Sequence, residues 1–92
     1  MIRNFQQSDI EQVMRIWLKG NEEAHPFIPR EYWRAHLEMA REQIPLADVF
    51  VYEKDGMVRG FAGLADGYIA GIFVDTKYRC LGIGKQLLEH VK

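Results

Sequence analysis

A glycine-containing segment near the end of the chain, Arg-Cys-Leu-Gly-Ile-Gly at 79–84, is the most informative local pattern in the sequence. It follows an apolar run, 68–74, and precedes an amphipathic stretch from Ile83 to Val91. This order predicts a strand, a glycine loop and a helix. The N–H groups of such a loop converge beside the positive end of the helix dipole, where phosphate or pyrophosphate binds. The alternative is a plain strand-to-helix turn, which needs only one glycine.

The spacing of the two glycines excludes two common phosphate-binding motifs. The dinucleotide fingerprint needs three glycines, spaced G-x-G-x-x-G, within an early βαβ unit. A P-loop needs Ser or Thr after its Gly-Lys pair, whereas Lys85 is followed by Gln86, which lacks the hydroxyl that holds magnesium. Arg79 and Lys85 flank the loop with positive charge. The pattern therefore indicates an anion site of another kind.

The first half of the chain has helical periodicity. Ser8 and Glu11 have the spacing of a capping box and predict a helix that starts there and stops at Gly20-Asn21. A loop containing His-Pro-Phe-Ile at 25–28 follows. Proline suits a first helical turn and cannot continue a helix, so a second helix is predicted from Pro29 to Pro45.

The second half of the chain has the shorter period of strands. Strands are predicted at 49–53, 58–65 and 68–74, after a short first strand at 2–5. The pairs Asp55-Gly56 and Asp66-Gly67 are hairpin turn signals, and two glycines in the middle strand weaken it or mark a bulge. We predict one α+β domain over residues 1–92, with the order β-α-α-β-β-β-α and a mixed, mostly antiparallel sheet.

Composition limits the classes of function. The chain has 92 residues, 48% of them hydrophobic, and a formal net charge of −1. These values fit one small globular domain with no overall field for nucleic acid or an anionic membrane, and no run approaches the roughly 20 apolar residues of a membrane span. One cysteine, Cys80, excludes an internal disulfide and a cysteine-based metal cluster. With no signal peptide recognised, we expect a cytoplasmic protein that uses no metal.

With its flanking residues, the glycine loop resembles a known cofactor-binding motif. The run VDTKYRCLGIGKQLL at 74–88 is similar to the acetyl-coenzyme A motif of the GNAT N-acetyltransferase superfamily, Arg/Gln-x-x-Gly-x-Gly/Ala. The predicted element order is also similar to the N-terminal half of that fold. The resemblance implies a GNAT-like acyl-CoA N-acyltransferase fold, truncated after the coenzyme A-binding helix. Because the family fold continues through a fifth strand and a fourth helix, we expect the chain to be the N-terminal part of a longer enzyme.

The resemblance implies acetyl transfer from acetyl-coenzyme A to a primary amine, which is a lysine side chain, a peptide N-terminus or a small amine. In the family the loop binds the coenzyme A pyrophosphate and the fourth strand pairs with the pantetheine arm. A backbone N–H of that strand, near Phe73 or Val74 here, stabilises the oxyanion. The residues that match these roles are Ile72, Phe73, Val74, Arg79, Cys80, Leu81, Gly82, Ile83, Gly84 and Lys85.

The general base is not fixed by the sequence. Glu22, Glu23 and His25 are candidates, as is Asp66 at a predicted turn, because each can take a proton from an amine. Solvated carboxylates and a packing histidine are the alternatives. The segment His25–Ile28 with Tyr32 and Trp33 resembles small bacterial GNAT enzymes, some of which acetylate lysines or peptide N-termini. The family's leaving-group acid lies in the fourth helix, so we expect little catalytic power from these 92 residues.

A non-catalytic module that binds acyl-CoA or associates with itself is the alternative function. The strand at 68–74 and the helix at 83–91 would be partly uncovered, and such surfaces pair with other chains, so a homodimer is one expected partner. Cys80 would lie at a helix N-terminus, which lowers a thiol pKa. We therefore expect it to be reactive enough to form a mixed disulfide with free coenzyme A when an oxidant accepts the two electrons released.

Overall fold

The fold is built on a four-stranded antiparallel sheet. The computed structural model describes residues 1–65, 68–79 and 81–91. The strands lie side by side in chain order, each neighbouring pair being antiparallel: β1 (Ile2–Asn4), β2 (Asp48–Lys54), β3 (Met57–Ala65) and β4 (Tyr68–Val74). The predicted α+β class and strand order are confirmed. Within the described residues the sheet is antiparallel throughout rather than mixed, because each strand lies beside its predecessor and runs back along it.

Helices cover both faces of this sheet. They are α1 (Ile10–Ala24), α2 (Arg30–Ala35), α3 (Leu37–Gln43) and α4 (Ile83–Val91). Phe61 and Ala62 are neighbours on β3, so their side chains point to opposite faces. Phe61 packs in a core cluster with Val13 and Ile16 of α1, whereas Ala62 packs with residues of α4. The sheet therefore separates α1 from α4.

The C-terminal end of α1 differs from the prediction. The expected stop at Gly20-Asn21 is wrong, because the helix continues to Ala24. A Cβ atom on residue 20 would lie 3.1 Å from the Phe73 ring. Gly20 is thus a point of close approach between α1 and β4, and it does not end the helix.

The N-terminal end of α1 also differs. The predicted capping box of Ser8 and Glu11 is wrong, because Ser8 lies inside a 3-10 turn at 7–9 and the helix starts at Ile10. Asp9 has the capping role instead, since its Oδ2 accepts the Gln6 backbone N–H at 2.8 Å.

Asp9 joins this turn to the strands through Arg3. The Arg3 guanidinium donates to both Asp9 carboxylate oxygens, at 2.8 and 2.9 Å, and to Glu53 Oε1 at 2.7 Å. Asp9 is buried, and the hydrogen bonds from Arg3 hold the pKa of its carboxyl below the usual value. One charged cluster therefore ties β1, the start of α1 and β2 together.

The predicted second helix is two short helices. His36 lies between α2 and α3 with φ −96° and ψ 0°, a conformation that interrupts the α-helical repeat. Pro29 is the N-cap of α2, and Pro45 lies in a 3-10 turn, Ile44–Leu46, after α3. The predicted boundaries at the two prolines are thus close to the observed ones, although the helix between them is broken.

The hairpin turn at Asp55-Gly56 is confirmed. Both residues have positive φ, 56° and 76°, which is the signature of a type I′ turn. The predicted turn at Asp66-Gly67 lies outside the described residues. No helix in the described ranges is long and apolar enough to cross a membrane.

Candidate functional site

The segment between β4 and α4 is held by side chains on both sides. A 3-10 turn, Thr76–Tyr78, follows β4, and Asp75 caps it by accepting the Lys77 N–H at 3.0 Å. The Arg59 guanidinium lies 4.1 Å from the centre of the Tyr78 ring, a cation–π contact between β3 and this turn. These two contacts therefore hold the backbone in place just before the glycine loop.

The loop ends at Gly82, which has φ +80° and nothing within 4 Å of the position of a Cβ atom. The Gln86 N–H donates to the Gly82 carbonyl at 3.0 Å, and this bond opens α4. The N–H groups of Ile83, Gly84 and Lys85 accordingly have no acceptor within the helix. Open space and free N–H groups at a helix N-terminus are the features that an anion site requires.

Other residues predicted to bind the cofactor surround this N-terminus. Leu81 and Lys85 are exposed, and Ile83, the first residue of α4, is buried against the sheet. A Cβ on Gly84 would make an ordinary contact of 3.6 Å with Val74, so the fold itself does not require glycine there. Cys80, with its predicted reactive thiol, lies outside the described residues.

Arg79 forms an ion pair that the sequence did not reveal. Its Nη1 lies 3.1 Å from Oε2 of Glu23, in the last turn of α1. This contact brings one predicted base candidate to the predicted pyrophosphate loop. The two residues are separated by most of the chain, so only the packing of α1 across the sheet shows that they meet.

The outer edge of β4 presents backbone groups of two predicted residues. In the described sheet β4 has one neighbour, β3, in the register Gly60 opposite Val74 and Phe61 opposite Phe73. The Asp75 N–H donates to the Arg59 carbonyl at 2.8 Å. Hydrogen-bonded pairs alternate along an antiparallel ladder, so Phe73 pairs with Phe61 and the N–H groups of Ile72 and Val74 point away from β3.

The role predicted for Phe73 therefore needs correction. Its N–H is directed at β3 and cannot serve as an oxyanion donor or pair with a ligand at the free edge. Its ring packs in the core, stacked on Phe61 with centroids 5.0 Å apart and planes at 16°. The sequence could not show this, because one residue of register decides which backbone groups face outward.

A bulge interrupts β4 near its middle. Gly63 lies opposite Gly71, but Leu64 lies opposite Ile69, which leaves Ala70 without a partner on β3. The glycines of the middle strand predicted a bulge in β3, and the register of β3 against β2 does shift beside Gly60, whereas the extra residue here lies on β4. The bulge bends the free edge just before the segment that carries Ile72 and Val74.

The base candidates occupy different environments. Oε2 of Glu22 is shielded from solvent and has no hydrogen-bond partner among the described residues. His25 is exposed at the end of α1, and its ring centroid lies 5.4 Å from that of Trp33. Asp66 lies outside the described residues. Among the described candidates, Glu22 has a shielded carboxylate oxygen free to accept a proton, whereas Glu23 is paired with Arg79.

Comparison with known proteins identifies the type of domain. A family model described as an acetyltransferase (GNAT) domain matches residues 45–92, more than half of the chain. The peptidyl-lysine N-acetyltransferase YiaC of Escherichia coli is 35% identical over 94 residues, which is 100% of this chain and 64% of that protein. The peptidyl-lysine N-acetyltransferase YjaB of the same organism is 30% identical, over 97% of this chain and 61% of that protein.

Solved structures show the same fold. The apo form of YjaB from Escherichia coli matches with a TM-score of 0.85 and 26% identity, over 99% of this chain and 63% of that one. A PaiA N-acetyltransferase from Thermoplasma acidophilum, in complex with coenzyme A, matches with a TM-score of 0.81 at 16% identity, over 98% and 67%. The chain thus spans under two thirds of the length of the curated relatives described above.

Proposed function

Because the chain belongs to the GNAT acetyltransferase family, we propose that it binds acetyl-coenzyme A and presents the thioester to a primary amine. The observation that carries the proposal is the N-terminus of α4, where three N–H groups without helical acceptors lie at the end of a strand with a free edge. The cofactor has an anionic pyrophosphate and an extended arm with amide groups. The helix N-terminus suits the pyrophosphate, and the free strand edge suits the arm.

The binding mode follows from the charges and the free backbone groups. The pyrophosphate lies against the N–H groups of Ile83, Gly84 and Lys85, where the helix dipole favours negative charge. Arg79 and the exposed Lys85 add positive charge. The amides of the pantetheine arm then pair with the outward backbone groups of Ile72 and Val74, as an added strand pairs with a sheet edge.

The chemistry needs a neutral amine, because an amine that carries a proton has no lone pair for attack. A lysine amine has a pKa of about 10.4, so a base must remove a proton at neutral pH. Glu22 is the proposed base, because its shielded Oε2 has no partner among the described residues. The amine attacks the thioester carbonyl, and an outward backbone N–H of β4 beside the thioester donates to the oxyanion that forms.

The proposed acceptor is the side chain of a lysine in a peptide or protein. The support is that two relatives that align over almost the whole of this chain are named peptidyl-lysine N-acetyltransferases. The C–S bond breaks as the tetrahedral intermediate collapses, and the departing thiolate gains a proton from an acid that the family resemblance assigns to the fourth helix of the family fold.

Calorimetry with acetyl-coenzyme A tests the proposal. Gly82→Ala strains a residue with φ +80° at the site, and Gly56→Ala strains one with φ +76° in the distant hairpin, so the two changes are matched in backbone cost. Gly84→Asp adds a negative charge at a position where a Cβ makes an ordinary 3.6 Å contact. We expect micromolar binding that Gly56→Ala preserves and that both loop variants weaken at least tenfold. A folded chain that does not bind acetyl-coenzyme A would refute the proposal.

Self-association is a second candidate function, favoured by the same free edge. Tyr68 and Ile69 at the start of β4 are 78% and 42% exposed, and unpaired strand edges with apolar side chains bind other strands. Analytical ultracentrifugation distinguishes the two candidates. The self-associating module would be favoured over the acetyltransferase by two results together. The wild-type chain would form a dimer that Tyr68→Lys dissociates, and it would not bind acetyl-coenzyme A.

A further inference from the structure

An apolar cavity of about 320 Å³ lies on the α1 face of the sheet. Its volume is near the lower end of the ~300–1,000 Å³ that is typical of small-molecule pockets. One side is formed by Trp17, Ile44 and Ala47, and the opposite side is a stretch of the sheet with small residues. These small residues are Gly63 and Ala65 on β3 and Ala70 and Gly71 on β4. The cavity exists because these four positions lack large side chains.

The cavity lies at the distance from the glycine loop, measured along β4, that the pantetheine arm would span. From the pyrophosphate to the sulfur, the arm is about as long as four residues of extended chain. An arm that starts beside Val74, at the end of β4, and runs back along the free edge would place the sulfur near Ala70 and Gly71. Both residues line the cavity. The acyl group would therefore be at the cavity, whereas the adenosine end would be far from it.

We infer that this cavity is an acyl-chain pocket, which lets the chain bind coenzyme A thioesters of linear acyl groups of about four carbons more tightly than acetyl-coenzyme A. The inference rests on the proposed function, since it needs the arm on β4. An acetyl group extends only one methyl beyond the carbonyl and leaves most of the cavity empty. A butyryl group adds two methylenes, which contact Trp17, Phe73 and the Gly63–Gly71 pair.

Calorimetry with acetyl-, butyryl- and free coenzyme A tests this inference. Burial of a methylene strengthens binding about three- to fourfold, so butyryl-coenzyme A is expected to bind roughly tenfold more tightly than acetyl-coenzyme A. Gly63→Val is the informative variant. A Cβ there meets its nearest neighbour, Val49, at an ordinary 3.9 Å, so the strand accepts the substitution while the methyl groups fill the cavity. Leu64→Val, the next residue of the strand, points to the other face and is the control.

The outcomes separate this inference from the proposed function. We expect Gly63→Val to abolish the butyryl preference with unchanged affinity for acetyl-coenzyme A, and Leu64→Val to keep both. Equal affinities in the wild type, or a preference that survives Gly63→Val, would overturn the acyl pocket and leave the acetyl-coenzyme A site standing. A folded chain that binds none of the thioesters would overturn both.

Fluorescence supplies a second measurement of the same pocket. Trp17 lines the cavity, and Trp33→Phe leaves it as the only tryptophan. In that background butyryl-coenzyme A is expected to shift the Trp17 emission, and free coenzyme A is not. An emission spectrum that both ligands change equally would place the acyl chain elsewhere and contradict the inference.

Discussion

Glu23 and Arg79 join the two segments on which the proposed chemistry depends. Their 3.1 Å ion pair links the last turn of α1, which carries Glu22, to the loop that precedes α4. The Arg79 side chain is 48% exposed and the Glu23 side chain 39%, so the pair is accessible to a ligand. An incoming pyrophosphate would compete with Glu23 for the same guanidinium.

Glu23→Gln is therefore expected to tighten acetyl-coenzyme A binding by about two- to fivefold, the range of an exposed ion pair. The change frees Arg79 and removes a negative charge near the anion. Calorimetry at low and high salt measures the effect, which is expected to shrink as ionic strength rises. Glu22→Gln, one residue away, is the matched control and is expected to leave affinity unchanged. Weaker binding by Glu23→Gln would mean that the carboxylate holds Arg79 in place for the ligand.

Asp9 is expected to make the fold sensitive to acid. Its carboxyl pKa is below the usual value, so the unfolded state binds more protons than the folded state as pH falls through the ordinary pKa of about 3.9. The stabilisation is present above that pKa and is lost as pH falls through the lower folded value. Asp9→Asn should cost about 2 kcal/mol at pH 7 and flatten the pH dependence between pH 5 and 2.

Urea unfolding across that pH range measures the Asp9 effect. Asp48→Asn, at an exposed residue, is the control and is expected to change the unfolding free energy by less than about 0.5 kcal/mol. An Asp9→Asn curve parallel to the wild type would show that other carboxyls cause the acid sensitivity.

Gly71 and Gly63 lie opposite each other, yet alanine should affect them in opposite ways. A Cβ on Gly71 would lie 2.8 Å from the Phe73 ring, which is stacked on Phe61 and lies against Gly20. Gly71→Ala should therefore cost about 1–3 kcal/mol by overpacking. Gly63→Ala has its nearest contact at 3.9 Å and should be neutral or stabilising by up to about 1 kcal/mol.

Thermal and urea unfolding of both alanine variants tests this contrast. Phe73→Leu in the Gly71→Ala background should restore part of the lost stability, because the smaller side chain leaves room for the new methyl. If Gly71→Ala and Gly63→Ala destabilised the fold equally, the loss would come from reduced backbone freedom in the strands and not from a clash with the Phe73 ring.

Leu87 should be critical for the position of α4. Its side chain is fully buried against the sheet, and its removal leaves a cavity between α4 and β3. Leu87→Ala is expected to lower the free energy of unfolding by about 2–5 kcal/mol. Leu88→Ala, at a half-buried neighbour, is the control with a smaller loss. If urea unfolding gave the same loss of unfolding free energy for Leu87→Ala and Leu88→Ala, the observed orientation of the helix would be contradicted.

The sequence predicted the elements whose periodicity is strong. The bounds of β4 and α4 and the turn at Asp55-Gly56 agree with the structure, because an apolar run, an amphipathic helix and residues suited to positive φ are local signals. The stop at Gly20 failed because a glycine can serve close packing as well as helix termination. Whether Gly20 ends the helix or allows close packing depends on its contact with Phe73, which is remote in sequence.

The candidate site was predictable only in part. The glycine loop could be predicted from the sequence, because its backbone chemistry is encoded in consecutive residues. The outward N–H groups of Ile72 and Val74, the Glu23–Arg79 pair and the cavity beside Gly63 depend on register and on helix packing. Those features combine residues from separate elements, so no single motif contains them.

The bulge at Ala70 also limits how this molecule can aggregate. A regular seven-residue strand with a free edge would offer a second chain a long row of hydrogen-bonding groups to extend into a fibril. In β4 (Tyr68–Val74) that row is broken at Ala70, and the bend twists its two parts out of line. Only the short segment 71–74 remains regular. A flexible arm with two amides can pair with so short a stretch, whereas the repeated addition of whole strands that a fibril requires is disfavoured by the break.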